Sequence, residues 1–264
     1  MKTFYTAKEA QERLGMNNNH FHYLVRKGTV KGVVLPGRKH SVYPRSDIDK
    51  LAAALVSLIE QYDKDVSVFQ VATQEDMQEE FQMDVSLFGK KTATLEQRIE
   101  RLEHNPESDY VLKNEGEIVG HISFFPLSQE DMKLFLDGKI ADPELPSKVL
   151  PFVSGEDLDI LILVMGVKPG FPPDVASHYG QRLIAGTIQV FRILGERGVK
   201  INNIRATSRT PTGIRLCRKL KMNEEPVPGE SARLRFTLNA QTSDSPLIKG
   251  YQEGYSEYRK IKEK

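Results

Sequence analysis

Apolar positions near the start of the chain recur every three to four residues, which is typical of helices. Thr6 and Glu9 form a capping-box pattern at the start of a first helix, which Gly15 can end by adopting a positive φ. Asn17 is an N-cap residue for a second helix over residues 18–27. Its apolar stripe consists of Phe21, Leu24 and Val25. The pattern therefore predicts two short helices joined by a glycine-containing turn.

A β-rich segment follows the two helices. Pro36 and Gly37 separate two runs of strand-forming residues within positions 31–43. We expect a hairpin here, and the residues at its tip are Arg38, Lys39 and His40. A third helix is predicted to start near Pro44 and to continue through Leu55.

Strand and helix patterns alternate from residue 66 onward. The predicted strands cover 66–72, 110–113, 118–125, 158–167, 201–206 and 233–238. The predicted helices cover 74–81, 94–102, 129–136, 177–197 and 211–219. The run from Leu158 to Val167 is continuously apolar, which is typical of a central strand buried on both faces. A polar, proline-rich insertion occupies 126–155.

Composition indicates an ordinary globular protein. Of its 264 residues, 39% are hydrophobic and 28% are charged, and no run of 18 apolar residues occurs. The N-terminus lacks the apolar core of a signal peptide, so we expect a cytoplasmic protein with no membrane association. The single cysteine excludes an intramolecular disulfide and a cysteine-cluster zinc site. His20, His22 and His121 show no metal-ligand spacing with a third ligand, so no metal is predicted.

Charge is distributed unevenly along the chain. The first fifty residues carry a net charge of +6, whereas the whole chain carries +1. A basic head on an acidic body indicates a polyanion-binding module joined to a different domain. We predict three parts, which are residues 1–62, residues 65–240 and a helical tail over 245–264.

The basic head resembles the winged helix-turn-helix of the MerR and excisionase type. The resemblance is carried by Tyr5–Gly15, Phe21–Gly28 and Tyr43–Asp47. It implies that double-stranded DNA is a partner. The residues implied to face base edges are Asn18, Asn19, His20 and Tyr23. The residues implied to contact phosphates are Arg26, Lys27, Arg38, Lys39 and Arg45. The alternative is that these charges form an ordinary solvated surface.

The order of elements in the body resembles the GNAT superfamily of acyl-CoA-dependent N-acetyltransferases. The resemblance is carried by Gly116–Phe124, Val167–Pro169, Tyr179–Ile184, Arg197–Val199 and Pro211–Met222. The whole chain is then an α+β protein, with a small N-terminal winged helix-turn-helix domain before a GNAT-like mixed β-sheet domain with flanking helices. In that superfamily the strand before the long helix splays from its neighbour, the pantetheine arm lies in the gap, and the pyrophosphate sits on the helix N-terminus.

The resemblance implies acetyl-CoA as a cofactor. The implied contacts are Val167, Ser177, His178, Tyr179, Gly180, Gln181 and Arg182. Gly180 takes the place of the last glycine of the family's phosphate loop, whereas His178 replaces an earlier glycine and Val175 replaces the usual Arg or Gln. Phosphate binding is therefore expected to be weakened, although His178 and Arg182 can partly replace the lost contacts.

The proton-handling positions of the family also differ in this chain. Leu163 and Val164 stand where a carboxylate is expected, and Cys217 occupies the position of a tyrosine. Cys217 is the one catalytic candidate, and the alternative is a small core residue. Asp157 and Asp159 lie near the start of the central strand and are predicted to be surface acids.

Two functional hypotheses follow. The first is a DNA-binding transcriptional regulator whose divergent GNAT-like domain acts in sensing or assembly. The second is an active N-acetyltransferase that its head tethers to DNA or another partner. The departures in the body favour the first hypothesis.

The C-terminal tail has aromatic and aliphatic residues on one face of its predicted helix. This face is expected to pack on the body or to form a homodimer contact. Its members are Tyr251, Tyr255, Tyr258 and Ile261.

Overall fold

The computed structural model describes residues 3–37, 39–63, 67–89, 92–227 and 230–263. Its contacts divide the chain into two units, Met1–Val66 and Ser67–Lys264. Arg38, at the predicted hairpin tip, lies outside the described residues. None of the described helices is long and apolar enough to cross a membrane.

Among the described residues, the first unit contains three helices and one short antiparallel strand pair. Its elements are β1 (Phe4–Tyr5), α1 (Ala7–Leu14), α2 (Asn18–Arg26), β2 (Tyr43–Pro44) and α3 (Arg45–Asp63). The capping box forms as the sequence predicts, because Thr6 accepts from the N–H of Glu9 and the Glu9 carboxylate accepts from the N–H of Thr6. Phe21 is fully buried and packs edge-on against Tyr43, 5.0 Å between ring centres. This contact fixes α2 against the strand pair.

The second unit contains a seven-stranded mixed sheet. Its strands are β3 (Val68–Val71), β4 (Asp109–Asn114), β5 (Glu117–Leu127), β6 (Asp157–Val167), β7 (Lys200–Ser208), β8 (Asn223–Val227) and β9 (Glu230–Asn239). Their order across the sheet is β3-β4-β5-β6-β7-β9-β8. β6 and β7 pair in parallel, whereas the other neighbours pair antiparallel. This mixed sheet is compatible with a GNAT fold.

Helices cover both faces of this sheet. They are α4 (Met77–Phe88), α5 (Leu95–His104), α6 (Gln129–Leu136), α7 (Pro173–Glu196), α8 (Pro211–Lys219) and α9 (Lys249–Lys262). The main core lies on one face, where Phe191 and Leu194 of α7 and Tyr251 of α9 pack on alternate residues of β6, β7 and β9. Helices α4, α5 and α6 pack on the opposite face.

The C-terminal helix packs closely against α7. A Cβ on Gly195 would lie 2.4 Å from the carbonyl oxygen of Tyr251, and one on Gly254 would lie 3.0 Å from the N atom of Glu196. Only glycine permits this approach of two backbones. The hydroxyl of Tyr251 accepts from the N–H of Ile201 at 2.7 Å, and its side chain is fully buried. The tail thus packs back on its own unit, while the homodimer contact stays a prediction.

Several element boundaries differ from the sequence prediction. The long helix α7 begins at Pro173 rather than Ser177, and α4 covers Met77–Phe88 rather than 74–81. Strand β8 was not predicted, because its Glu-Glu-Pro sequence has low strand propensity. It is an edge strand, and Pro226 is tolerated there because an edge strand has one unpaired side.

Candidate active site

The parallel strands β6 and β7 separate before either of them ends. Within the described residues, their pairing stops at Ile162 and Ala206. β6 continues to Val167 with β5 as its partner, and β7 continues to Ser208 with β9 as its partner. The sheet therefore contains an open fork, and each edge of the fork has main-chain N–H and C=O groups without a ladder partner.

A β-bulge lies where the fork opens. Ser123 of β5 pairs with Val164 and Phe124 pairs with Ile162, so Leu163 is an extra residue on β6. A bulge bends its strand and increases the local twist, which turns the end of β6 away from β7. Residues 158–161 are buried, whereas residues 162–167 are all half-buried. The apolar run that predicts a strand buried on both faces is correct for the first half of β6 and wrong for the second.

The N-terminus of α7 is a poor site for an anion. Pro173 has no N–H, and the N–H of Ala176 already donates to the carbonyl of Pro172 at 2.9 Å. Asp174 and Val175 therefore carry the free N–H groups of the first turn. The carboxylate of Asp174 stands in that same turn and repels a negative ligand.

The predicted cofactor contacts are mostly inside α7. Residues 177–182 lie beyond its first turn, so their N–H groups bond carbonyls four residues earlier and their side chains alone can reach a ligand. Tyr179 is buried and its hydroxyl accepts from Nδ2 of Asn114 at 2.9 Å. It packs in a small apolar cluster that also contains Val167. Arg182 donates to the carbonyl oxygen of Ser67 at 2.7 Å.

Gly180 is the member of this set that faces empty space. A Cβ at this position would meet no atom within 4 Å, and the residue is half-buried. Glycine is therefore not required here by the packing of the chain itself. Beside it, Ser177 and Gln181 are exposed and His178 is half-buried. The assignment of these four residues to a cofactor stays a prediction.

A buried polar network lies on the opposite face of the sheet, under α4 and α5. Arg98 donates to Glu80 at 2.6 Å and to Asp84 at 2.7 Å. Arg101 donates to Asp109 at 2.6 Å. His121 Nε2 lies 2.7 Å from Oδ1 of Asp84. All of these side chains are buried, and they are Glu80, Asp84, Arg98, Arg101, Asp109 and His121. His121 pairs with Gly166 across β5 and β6, so the network borders the fork strand.

The network shifts the proton affinities of its members. Burial alone would lower the pKa of His121, but the carboxylates of Asp84 and Glu80 outweigh burial and raise it. The pKa of Glu80 is raised, because burial and the charge of Asp109 outweigh its cationic neighbours. Two buried atoms of the network, Glu80 Oε2 and His121 Nδ1, have no hydrogen-bond partner among the described residues.

This network also contains a group of potential metal ligands around His121 that the spacing of histidines along the sequence did not indicate. Donor atoms of Glu80, Asp84 and His121 lie within 4.8 Å of one another, a spacing that a metal ion could use. The sequence did not reveal this group of donor atoms, because Glu80 and Asp84 lie on α4 whereas His121 lies on β5, far away along the chain. Both carboxylates already pair with Arg98, whose charge opposes a second cation. We therefore describe the cluster as an ion-pair network.

Asp142 is a candidate that sequence reasoning missed. It lies in a short 3-10 turn, Asp142–Glu144, within the insertion between β5 and β6. Burial raises the pKa of Asp142, although the cationic Arg233 and Arg209 oppose the rise. Arg209 directly follows β7, and Arg233 of β9 donates to Oγ1 of Thr207 at 3.1 Å. The charges of Arg209 and Arg233 both act on Asp142, and these two residues lie at the end of β7. A lone aspartate in a polar loop gives no signal in the sequence.

Two acids near the start of β6 behave differently from each other. Asp157 is exposed and pairs with Lys200 at 2.8 Å, as predicted for a surface acid. The same prediction is wrong for Asp159, which is 6% exposed. Its Oδ1 accepts from the main-chain N–H and from Nδ2 of Asn203. Asp159 is thus part of the folded sheet.

Cys217 lies in the main core, away from solvent. It is 8% exposed, and burial raises its pKa to about 11. A thiol of this kind is almost fully protonated at neutral pH and behaves as a small apolar side chain. Its surroundings therefore favour the packing role, and its catalytic role stays a prediction.

The polar residues of α2 form one solvent-exposed surface on the first unit. Asn18, Asn19, His20, Tyr23, Arg26 and Lys27 are all exposed, while Phe21 between them is buried. Asn18 Oδ1 accepts from Nε2 of Gln11 at 3.1 Å. Lys39 is also exposed. Arg45 differs, since its guanidinium stacks over Tyr5 and lies 3.5 Å from Asp49.

Comparison with known proteins gives structural similarity at low sequence identity. No protein-family model matches the sequence, and no curated protein sequence matches it. The loading GNATL domain of CurA from Lyngbya majuscula is 12% identical, with a TM-score of 0.49, over 66% of this chain and 97% of that chain.

Two further solved structures show a similar extent of match. The ribosomal-protein-S18-alanine N-acetyltransferase from Escherichia coli is 11% identical, with a TM-score of 0.43, over 69% of this chain and 98% of that chain. Arabidopsis thaliana NAA60 in complex with acetyl-CoA is 12% identical, with a TM-score of 0.43, over 66% and 99%. These similarities are too distant to assign an activity to this chain.

Proposed function

We propose that residues 67–264 form an acyltransferase that moves an acyl group from acyl-CoA to an amine. The fork between β6 and β7 is the observation that carries this proposal. An extended ligand with amide groups can bind an unpaired strand edge as an additional strand. The pantetheine arm of CoA is such a ligand. The resemblance of Tyr179–Ile184 and Pro211–Met222 to the GNAT superfamily points to the same cofactor.

The fork fits the pantetheine arm better than α7 fits the pyrophosphate. The main chain of Leu163–Val167 would hold the arm, and the open space beside Gly180 leaves room for the cofactor next to α7. At the helix N-terminus, two N–H donors beside the carboxylate of Asp174 offer little to a phosphate. We therefore expect binding in the micromolar range or weaker. Acyl-CoA, when bound, supplies the thioester carbonyl carbon that an amine attacks.

Asp142 is the group we assign to the acceptor's proton. An alkylammonium acceptor must lose a proton before it can attack, and a carboxylate whose pKa is raised is a better base than an ordinary one. Burial raises the pKa of Asp142 in this way. The Nε2 of Gln97 donates to the carbonyl oxygen of Pro143 at 2.8 Å, which fixes the turn that carries Asp142. Cys217 is given no role in the reaction.

The test combines binding and turnover on the full chain. Calorimetry with acetyl-CoA should give a measurable Kd, and transfer to a panel of primary amines should be detectable as released thiol. Asp142→Asn should retain acetyl-CoA binding and lower kcat by about 10²- to 10⁴-fold. Asp157→Asn, an exposed acid on the same unit, is the matched control and should leave kcat unchanged. No binding of acetyl-CoA at millimolar concentration would refute the proposal.

A second function is favoured for the first unit, namely binding of duplex DNA. The supporting observation is the exposed polar surface of α2, where amide and imidazole side chains stand beside Arg26 and Lys27. Asparagine can pair with adenine through two hydrogen bonds, and Arg and Lys neutralise phosphates. We assign base contacts to Asn18, Asn19, His20 and Tyr23, and phosphate contacts to Arg26, Lys27 and Lys39. Arg38, which lies outside the described residues, is assigned to a phosphate contact from the sequence alone.

Salt dependence tests DNA binding directly. If five to eight phosphates are contacted, log K should fall against log salt with a slope of about −4 to −7. Lys27→Gln should make the slope less negative by about 1 for every DNA sequence, whereas Asn19→Ala should relax sequence preference. Lys260→Gln, on the second unit, is the control. Absence of binding at low salt across genomic fragments would refute this function.

A further inference from the structure

A groove of about 570 Å³ lies between α6 and the polar face of β7, β9 and β8. Helix α6 forms one wall, and strand residues form the floor. Three cations and three anions line it, and they are Lys133, Arg205, Arg235, Asp137, Asp159 and Glu225. The charged lining is therefore neutral in sum, which favours a ligand that itself carries both signs of charge.

Arg205 is the least satisfied of the three cations. Its Nη1 donates to the neutral hydroxyl of Thr237 at 2.7 Å. Its Nε lies 3.5 Å from Oδ2 of Asp159 and is buried without a hydrogen-bond partner among the described residues. The Arg205 side chain as a whole is 27% exposed and lines the groove, so a ligand there can accept from guanidinium N–H groups that Thr237 and Asp159 leave unused.

The other two cations are already paired. Arg235 donates to Glu225 at 2.9 Å and lies 3.7 Å from Asp137. Lys133 also pairs with Asp137, at 2.5 Å. Asp159 has its own donors in Asn203. A ligand in the groove therefore finds one incompletely paired guanidinium on the floor.

We propose that the acceptor is an amine that also carries a carboxylate, and that Arg205 binds this carboxylate. The inference rests on the proposed acyltransfer function and adds a substrate class to it. A guanidinium presents two N–H groups that match a planar carboxylate. A phosphate dianion fits less well, because three acids line the same groove and repel a second negative charge.

The position of Arg205 agrees with this role. Arg205 pairs with Leu161 across β7 and β6, two residues before the bulge at Leu163. At about 3.3 Å per strand residue, the main chain of Arg205 lies roughly 7 Å from the bulge where the fork opens. An acceptor whose amine and carboxylate are a few bonds apart can span this distance. Its amine then lies at the fork while its carboxylate stays in the groove.

Pairs of acceptors that differ in charge alone test the proposal. We would compare γ-aminobutyrate with its amide, and glycylglycine with its amide, using acetyl-CoA and the full chain. The carboxylate form should have a kcat/KM about 10- to 100-fold higher. Equal rates for acid and amide would overturn the inference while leaving acyl transfer intact. Absence of transfer to every amine, together with absence of acetyl-CoA binding, would instead refute the proposed function.

Variants of Arg205 separate binding from folding. Arg205→Gln should raise KM for the carboxylate acceptors about 10- to 100-fold and should bring the ratio of kcat/KM between acid and amide close to one. Arg205→Lys should restore part of the loss, because lysine keeps the charge but not the two parallel donors. Arg192→Gln, an exposed arginine on α7, is the control. If Arg205→Gln lowers the rates for acids and amides equally, or if Arg205→Lys recovers nothing, the assignment of Arg205 is wrong.

Discussion

His121 Nε2 lies 2.7 Å from Oδ1 of Asp84, and neither side chain reaches solvent. The contact joins β5 to α4. Asp84 also accepts from Arg98 of α5, so one carboxylate links three elements. Its pKa is lowered, because His121 and Arg98 outweigh the effect of burial. The proton on His121 is thus part of what holds α4 and α5 on the sheet beside the fork.

Stability should therefore decline at mildly alkaline pH. The pKa of His121 in the folded protein is raised above its ordinary value of 6.5, so the folded state keeps a proton that the unfolded state has released. This contribution is fully present below about pH 6.5 and is lost as pH rises through the folded pKa. Urea unfolding between pH 6 and pH 10 should show the decline, and His121→Gln should remove it. His104→Gln, at an exposed site, should leave the decline in place.

Breaking one ion pair in this network should be strongly destabilising. Arg101→Met removes the partner of Asp109 and leaves a buried carboxylate without its cation. A loss of about 3–5 kcal/mol in the free energy of unfolding is expected. Arg192→Met removes an exposed pair with Glu196, so its loss in the free energy of unfolding should be far smaller. Chemical denaturation of both variants measures the difference, and equal losses would contradict the importance of the buried network.

Gly180→Ala should stabilise the free protein. Gly180 lies inside α7, and an added Cβ would meet open space, so the helix gains about 0.5–1 kcal/mol. If the cofactor occupies that space, the same variant should weaken acetyl-CoA binding. Gly186→Ala is the contrasting variant, since its Cβ would lie 2.4 Å from the ring of Phe69 and should destabilise. Thermal unfolding and calorimetry of both variants check these signs. Unchanged acetyl-CoA affinity in Gly180→Ala would move the cofactor away from this face of α7.

Asp142→Asn should stabilise the protein at neutral pH. The pKa of Asp142 in the folded state is raised above its ordinary value of 3.8 by burial, so folding favours the protonated form. That contribution is complete below about pH 3.8 and is lost as pH rises through the folded pKa. Asparagine is neutral at every pH. The stability difference between Asp142→Asn and the unsubstituted protein should therefore be absent at pH 3 and should reach a plateau above the folded pKa of Asp142. Thermal melts across this range decide the matter, and lower stability of Asp142→Asn at pH 7 would contradict the raised pKa.

The sequence allowed most elements to be predicted, because their signals are local. Caps such as Thr6 and Asn17 and the apolar run from Leu158 identify helices and a strand from neighbouring residues alone. The fork was expected from the family resemblance, but its cause was not. A one-residue bulge at Leu163 depends on how β5 and β6 align, and the composition of β6 does not encode it.

The residues of the candidate site were harder to predict than the fold. The network of Glu80, Asp84 and His121 combines residues about forty positions apart in the chain. Asp142 is affected by Arg209, just after β7, and by Arg233 of β9, both far from it in sequence. Asp159 shows the same limit. An acid near the end of a strand is normally exposed, yet here Asn203 supplies two donors and makes burial tolerable.

The close packing of Gly195 against Tyr251 also determines when the protein can finish folding during synthesis. The carbonyl oxygen of Tyr251 faces Gly195, and the hydroxyl of Tyr251 accepts a hydrogen bond from the N–H of Ile201. Helix α7 ends at Glu196, so a ribosome must add 55 residues after it before Tyr251 exists. At 5–20 residues per second this takes on the order of ten seconds. During that interval the face of α7 that later contacts α9 has not yet met its partner helix.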